Sequence, residues 1–391
     1  MANRVIANPQ ISIYDQCETK IKHATFLYLL DTYARYKEMV GDTVVFPSRS
    51  YNVFGKKANA WTSRSDFEGI RGDLSQKAYE VLEIDRSIRE RMNLRSMETL
   101  LDTDEESCQS AYNDVDKLVR IKYIQVRSGQ LYLDCPRIKR DFDLKMELEN
   151  VNIFPIKARS EMLKMIENNM NTPLNISSNS AYTQPSGFGP NLNPLFSLSR
   201  IWSNRYNGMN VSMTASHNVL LKYVFLRAIT NIPLEGNMGF DELLIWPKVY
   251  FEEGKDNWPI SEYIDDIYKT DMLRVMFMKK YPSSDTEVMV SKADFKGARN
   301  FVYLVANLRR PLPVSEMGEL EESYTNDMIN FKYPKVLQGL YEEAKDISHM
   351  VNNSRDSGRL DENKTKLSKR YSNLLIKLNP FMPATVDLCL K

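Results

Sequence analysis

The residues of this chain with the most chemical promise are few and unevenly placed. Residues 20–23 read Lys-Ile-Lys-His, so Lys20, Lys22 and His23 meet around Ile21 at the start of a helical pattern. Cations there suit an anion, because a helix start leaves backbone N–H groups free and the helix dipole adds partial positive charge. Lys20 and Lys22 have two readings: solvated surface side chains, or an anion site for a phosphate, an RNA backbone or an acidic partner. His23 reads first as a residue that caps the turn. A second group, Tyr250-Phe251-Glu252-Glu253-Gly254-Lys255, sets two carboxylates near a lysine. Glu252 and Glu253 read as an exposed charged loop, since a metal needs further oxygen ligands and none converges on them in the sequence. Lys364, Lys366, Lys369 and Arg370 offer either a phosphate-contacting face or a solvated helix face. Phe301, Tyr303, Phe331 and Tyr341 fall at helical spacing and read as core rather than as base-stacking platforms. Histidines number only three, His23, His217 and His349, which narrows acid–base and metal chemistry. No Gly-x-Ser-x-Gly elbow supports a serine hydrolase.

These groups need elements to hold them. "PQISIYD" (9–15) reads as a short strand, and a helical pattern follows with Phe26, Leu29, Leu30, Tyr33 and Ala34 on one face. "DTVVFP" (42–47) reads as a second strand stopped by Pro47. Strand, helix and strand over about 40 residues make a βαβ unit, the building block of parallel sheets. Residues 73–123 are mostly helical in pattern. "YIQVRSGQLYLD" (123–134) reads as a hairpin turning at Ser128-Gly129. Residues 170–194, rich in Asn, Ser, Pro and Gly, read as a long loop. "ASHNVLLKYVFLRAI" (215–229) is helical, and "ELLIWPKVYFEEG" (242–254) is strand-like with a break at Pro247. From about residue 285 the pattern is that of an antiparallel bundle of about three to five helices, two of them separated by the polar stretch 352–366.

Composition bounds the partners. With 391 residues, 42% of them hydrophobic, the chain can bury more than one domain core. Basic and acidic residues nearly balance, 52 against 51. Nucleic-acid affinity comes largely from Lys and Arg displacing counterions, so there is no global signature of such binding and none for DNA; a local basic face remains open. Cys17, Cys108, Cys135 and Cys389 are scattered with no Cys-x-x-Cys pair, which supports neither a disulfide framework nor a zinc site. No run approaches the ~18–20 apolar residues of a membrane span. The first residues lack an apolar core followed by a small-residue cleavage site. The expectation is a cytoplasmic protein with no membrane partner.

Several segments, in order along the chain, resemble class I aminoacyl-tRNA synthetases, most closely the bacterial-type leucyl enzymes. "HATFLYLLDTYARYKEMVGDTVVFP" is similar to the family's first helix and second strand. "YNVFGKKANA" (51–60) resembles the stretch Trp-Asp-Ala-Phe-Gly-Leu-Pro-Ala-Glu-Asn, keeping Phe54, Gly55 and Ala58. "YKTDMLRVMFM" (268–278) resembles the helix Tyr-Gly-Ala-Asp-x-x-Arg that follows the second signature. "DFKGARNFVYLVANL" and "LLIKLNPFMPATVDLCL" resemble pieces of the helical anticodon-binding domain. The leucyl reading rests mainly on Phe54-Gly55, and methionyl-like enzymes are the nearest competitor. The resemblance implies an α/β fold: a Rossmann-like (HUP-type) parallel-sheet catalytic core followed by an α-helical bundle like the anticodon-binding domain. It divides the chain into a first half of the core (1–134), a remnant of the connective insertion without editing or zinc domain (135–160), a second half of the core (161–284) and the bundle (285–391).

The departures from the family pattern carry the functional expectation. The first signature, His-x-Gly-His, packs under ATP, and its glycine leaves room for the adenine. Lys20, Ile21, Lys22 and His23 stand there, so only the last histidine remains and Lys22 replaces the glycine. The second signature, Lys-Met-Ser-Lys-Ser, stabilises departing pyrophosphate with its lysines, a kind of contribution worth on the order of 10²–10³ in rate per group. Tyr250, Phe251, Glu252, Glu253 and Gly254 correspond, with Lys255 next. Asn52 replaces the aspartate that would hold the substrate ammonium, and it brings no charge. Tyr14 matches a tyrosine lining the leucine pocket. His217 matches the histidine of a Glu-His stretch whose Glu is Ser216 here. The resemblance thus implies a leucyl-type paralogue with degenerate ATP signatures, acting as an RNA-, tRNA- or protein-binding module rather than a competent leucine–tRNA ligase. The alternative is an aminoacyl-adenylate-forming or aminoacyl-tRNA-using enzyme with a remade site. ATP and Mg are implied as cofactors only where family activity survives, no resident metal is implied, and no catalytic residue is assigned.

Overall fold

Short apolar runs of the sequence become the strands of a parallel sheet in the computed structural model. It describes residues 3–7, 11–12, 21–45, 47–52, 87, 90–95, 98–101, 105–178, 191–206, 208–215, 218–245, 248–252, 266–281, 287–315 and 318–391. Two compact units result. The first comprises Met1–Cys17, Asp42–Arg86 and Ser96–Ile245; the second comprises Glu18–Gly41, Ser87–Arg95 and Trp246–Lys391.

The first unit is organised by strands β1 (Asn3–Ala7), β3 (Thr43–Val45), β8 (Asn152–Phe154), β12 (Asn210–Ala215) and β13 (Glu242–Ile245). Their order is β3-β1-β12-β13-β8, with every neighbouring pair parallel. Val211, Met213, Leu243 and Leu244 are buried, as expected of strands covered on both faces. The parallel partner of β3 is therefore Asn3–Ala7 and not the segment 9–15. From that segment β2 (Ile11–Ser12) pairs instead with β4 (Pro47–Asn52), which pairs in turn with β5 (Glu98–Leu101). β3 ends at Val45, short of Pro47, and Pro47 also opens β4, a position where its missing N–H costs nothing. The strand Glu98–Leu101 interrupts a span expected to be helical, because the periodicity of four residues cannot separate a short strand from a helical turn.

The hairpin at 123–134 forms where turn chemistry places it, as β6 (Ile124–Arg127) and β7 (Gln130–Leu133). Ser128 and Gly129 both have positive φ, 49° and 71°, the backbone a two-residue hairpin turn requires. β9 (Leu174–Asn175) joins β7, and β10 (Ser177–Ser178) pairs with β11 (Asn191–Leu192), so strands frame the expected long loop. Helices α2 (Glu105–Arg120), α6 (Pro194–Arg205) and α7 (Asn218–Glu235) pack on one another, and α7 also packs on β12. Between the hairpin and β9 lie α3 (Cys135–Asp141), α4 (Leu144–Glu149) and α5 (Ala158–Asn169). Asp134 and Asp143 cap α3 and α4 by accepting backbone N–H bonds from Arg137, and from Lys145 and Met146.

The second unit contains α1 (Ile21–Met39), β14 (Lys248–Phe251), α8 (Ile267–Met278), β15 (Glu287–Val290) and five later helices. These are α9 (Lys292–Leu308), α10 (Glu322–Ile329), α11 (Tyr333–Asp356), α12 (Leu360–Leu378) and α13 (Pro383–Leu390). Among the described residues of α1, burial is not confined to one stripe: Tyr28, Asp31 and Thr32 are as enclosed as Leu29, Leu30 and Tyr33. Of these polar groups Asp31 is fully engaged inside the protein, whereas the Tyr28 hydroxyl and Thr32 Oγ1 have no hydrogen-bond partner among the described residues. The polar stretch 352–366 is mostly helical, since Val351, Ser354 and Leu367 still meet the core; the break is only Ser357–Arg359, with Gly358 at φ 69°. Ser291 and Asp294 form a capping box at the start of α9.

Candidate functional site

Within the second unit, α1 packs against α8 and β14. The elements that carry the two segments singled out from the sequence are therefore neighbours. The backbone of Ile21, Lys22 and His23 forms the first turn of α1; their side chains, and Lys20 entirely, lie outside the described residues. Tyr250 and Phe251 close β14, in register with Met289 and Val290. Phe251 is buried, its ring centroid 6.4 Å from those of Phe277 and Phe295. Glu252 is exposed, and its backbone N–H donates to the Val290 carbonyl at 3.1 Å. Glu253, Gly254 and Lys255 lie outside the described residues. The first two positions of this group are thus ladder residues without charge, held by strand pairing and aromatic packing.

The polar chemistry of this unit gathers on α8. Arg274, fully buried, donates through Nη1 to the Asp31 carboxylate and to the Pro380 carbonyl (3.4 Å), and through Nη2 to the Asn93 carbonyl (3.2 Å). Asp31 also accepts from Arg35 Nε at 2.7 Å and from the Arg95 N–H at 2.8 Å. Burial pushes the Asp31 carboxyl up, but Arg274, Arg35 and the Arg95 N–H together bring it below the ordinary carboxylate value. One turn earlier, Asp271 accepts from Thr385 N (2.6 Å), Thr385 Oγ1 (2.7 Å) and Ala384 N (3.4 Å). It thereby caps α13, whose first residue, Pro383, has no N–H to offer. Burial raises the Asp271 carboxyl to about 6, against the lowering from the Thr385 hydroxyl, Arg274 and the two backbone donors. The guanidinium carbon of Arg274 lies 5.1 Å from the Tyr28 ring centroid, and burial keeps that phenol neutral. The side chains of Arg274, Asp31 and Asp271 are all enclosed, so the chemistry of this cluster is positional.

In the first unit, the chain leaves β1 for β3 on one side and β12 for β13 on the other. The order of the sheet therefore reverses between β1 and β12, and open α/β sheets hold ligands outside the carboxyl ends of strands at such a reversal. His217, Tyr14 and Phe54 lie outside the described residues. Asn52 closes β4 with its backbone paired to Ser12; its side chain is outside the described part.

Sequence reasoning passes over Arg200 altogether. This buried side chain donates to Asp114 Oδ2 at 2.8 Å, Thr230 Oγ1 at 2.7 Å and Asn231 Oδ1 at 2.6 Å. Ser203 adds a bond to Asn231, and Asn204 one to Asp114. Nearby Arg227, lowered by burial to about 10, donates to the Gly239 carbonyl at 2.8 Å. No residue type or spacing in "FSLSRIWSNR" marks Arg200 as different from a surface arginine. Tyr303 is a second miss: Phe301 and Phe331 are buried as read, but Tyr303 is 38% exposed. Among the described residues, no group of three or more His, Cys, Asp and Glu is placed to hold a metal, and no helix is long and apolar enough to cross a membrane.

Solved structures similar to this chain include methionyl-tRNA synthetases. The Mycobacterium tuberculosis enzyme in complex with methionyl-adenylate aligns with a TM-score of 0.66 at 10% identity, over 100% of this chain and 93% of that one. Its apo form aligns with a TM-score of 0.64 at 12% identity, over 99% and 91%. At that identity the likeness concerns the fold, and the chain has a class I aminoacyl-tRNA synthetase-like fold. No protein-family model matches the sequence, and no curated protein matches it.

Proposed function

We propose that this chain is an RNA-binding module, with tRNA the foremost ligand class, built on the class I synthetase fold and without competent leucine–tRNA ligase activity. In this reading its ancestry is of the leucyl type, its core is Rossmann-like, its helical portion descends from an anticodon-binding domain and it acts in the cytoplasm. The observation that carries the proposal lies at residues 250–252. Where the family places the start of a cationic loop, Tyr250 and Phe251 are committed to the β14–β15 ladder and Glu252 exposes a carboxylate. Stabilising a departing pyrophosphate needs preorganised positive charge, and a strand residue followed by an acid supplies none. The lysines at 20 and 22 and the neutral Asn52 are in keeping with the same loss at the nucleotide and amino-acid positions.

Amino-acid-dependent ATP–pyrophosphate exchange, measured with each amino acid in turn, is expected to stay at background. Exchange above background that Lys22→Ala abolishes overturns the proposal in favour of a remade adenylate-forming site. Titration with tRNA at two salt concentrations is expected to show affinity that falls as salt rises, because phosphate contacts release counterions. An absent or salt-insensitive signal removes RNA as the partner.

A further inference from the structure

We infer that the outward face of α9 is a binding surface for single-stranded RNA, with phosphates on Lys296, Arg299 and Arg310 and a base stacked on Tyr303. This rests on the RNA-binding reading above and specifies where and how the contact is made. Ala298, Phe301, Val302, Val305 and Leu308 turn the opposite face of α9 into the core. Lys292, Lys296, Arg299, Tyr303 and Asn307 follow one another at spacings of three and four residues and are all exposed, with Arg310 continuing the line just past the helix. Residues so spaced share one helix face.

No acid interrupts this row. Asp294 is turned aside, accepting from Ser291 N and Oγ at 2.9 Å and pairing with Lys280 at 3.0 Å. Among the described residues no carboxylate pairs with Lys296, Arg299 or Arg310. Like charges at this spacing repel, so an anionic partner relieves a cost the helix otherwise carries. Tyr303 sets the kind of anion. Its ring lies 5.5 Å from that of Tyr268 and beneath the Arg299 guanidinium at 5.6 Å, yet 38% of the residue remains open to solvent. An aromatic surface beside cations suits unpaired bases, which stack on such rings while their phosphates meet the charges. A duplex hides its base faces, and an acidic protein has none. The other basic run is poorer: Lys364 and Arg370 are half-buried, and Arg370 points a nitrogen at the Met350 sulfur.

The test is anisotropy of a short labelled single-stranded RNA, alone and annealed, titrated with the full chain at several salt concentrations. Replacing Lys296, Arg299 and Arg310 together by alanine is expected to weaken binding and to reduce the slope of log affinity on log salt by about 2. Tyr303→Ala is expected to weaken binding roughly 5- to 150-fold with the slope kept, and Tyr303→Phe to retain it. Removing the same charge from α12, with Lys364, Lys366 and Lys369 changed to alanine, is expected to matter far less. Circular dichroism checks that each variant is folded. The inference is overturned if the α12 variant loses as much as the α9 variant, if Tyr303→Ala is neutral, or if duplex binds as tightly as single strand. It is also overturned if polyglutamate displaces the RNA as well as RNA does, which assigns the face to an acidic protein. RNA binding that survives every α9 change refutes this face alone; no RNA binding by the unaltered chain refutes the broader proposal too.

Discussion

Arg200 in the first unit and Arg274 in the second are both fully shielded from solvent, and each engages one aspartate. Arg200 spends its remaining bonds on the side chains of Thr230 and Asn231, so its cluster ties helices α2, α6 and α7 to one another through groups that rotate. Arg274 reaches the carbonyls of Asn93 and Pro380, and its partner Asp31 takes the Arg95 N–H. That cluster ties helices α1 and α8 to backbone in connecting segments. One buried arginine therefore registers helix against helix, while the other shapes the chain between helices. The second arrangement has fewer ways to relax, because a carbonyl cannot turn away without moving its peptide.

The comparison predicts an order of effects. Asp31→Ala strips the charge partner from Arg274 and is expected to cost about 3–5 kcal/mol in urea unfolding. Asp114→Ala is expected near the lower end of that range, about 3 kcal/mol, because Asp114 holds Arg200 and Asn204 while Asp31 holds Arg274, Arg35 and the Arg95 N–H. Equal losses would mean that the Arg35 and Arg95 bonds to Asp31 add nothing. An effect of similar size is expected from Gly239→Ala, which tests how tightly the first cluster is closed. A Cβ there meets Asn231 Nδ2 at 2.3 Å, and φ is 76°. Left-handed backbone strain and a disturbed buried hydrogen bond together suggest about 2–4 kcal/mol. An unchanged Tm would show that the Arg227–Asn231 side of the cluster yields freely.

The mildest effect is one of pH. Asp31 titrates lower in the folded protein than unfolded, so its stabilisation is present above about pH 4 and is lost as acid protonates it. Asp271, raised to about 6, behaves oppositely. Its contribution is fullest below about pH 4 and is lost as pH rises through about 6. Asp271→Asn is therefore expected to flatten the dependence of unfolding free energy on pH between about 4 and 6, and Asp31→Asn to flatten it below about 4. A profile identical to that of the unaltered chain in either window rejects the corresponding assignment.

Local features are legible in the residues alone. Ser128-Gly129 announces its hairpin because the turn needs two positive φ values and few residue pairs tolerate them. β13 ends at Ile245 and β14 begins at Lys248, on either side of the expected break at Pro247, which itself lies outside the described residues, and the helices after residue 290 follow their apolar period. The placement of the first parallel strand is not legible: the strand reading falls on 9–15, while the residues that pair with β3 are Asn3–Ala7 and Ile11–Ser12 pairs with β4 in another sheet. Of the candidate site, Tyr250, Phe251 and Glu252 can be followed into side-chain geometry: Tyr250 and Phe251 pair in β14 within the stretch read as strand-like, and Glu252 is exposed as read. Tyr303 reads as core because helical spacing reports that residues share faces, not which face is covered.

What the amino-acid order determined by itself was conformational and short in range: caps at Asp134, Asp143 and Ser291, the hairpin turn, and the periods of the bundle helices. Each depends on residues within a turn or two of one another. What only the tertiary structure decided was which charges go inside. Asp31 meets Arg274, and Asp114 meets Arg200, across long separations in sequence. A buried charge is tolerable only where its partner and its hydrogen bonds arrive together from elsewhere in the chain.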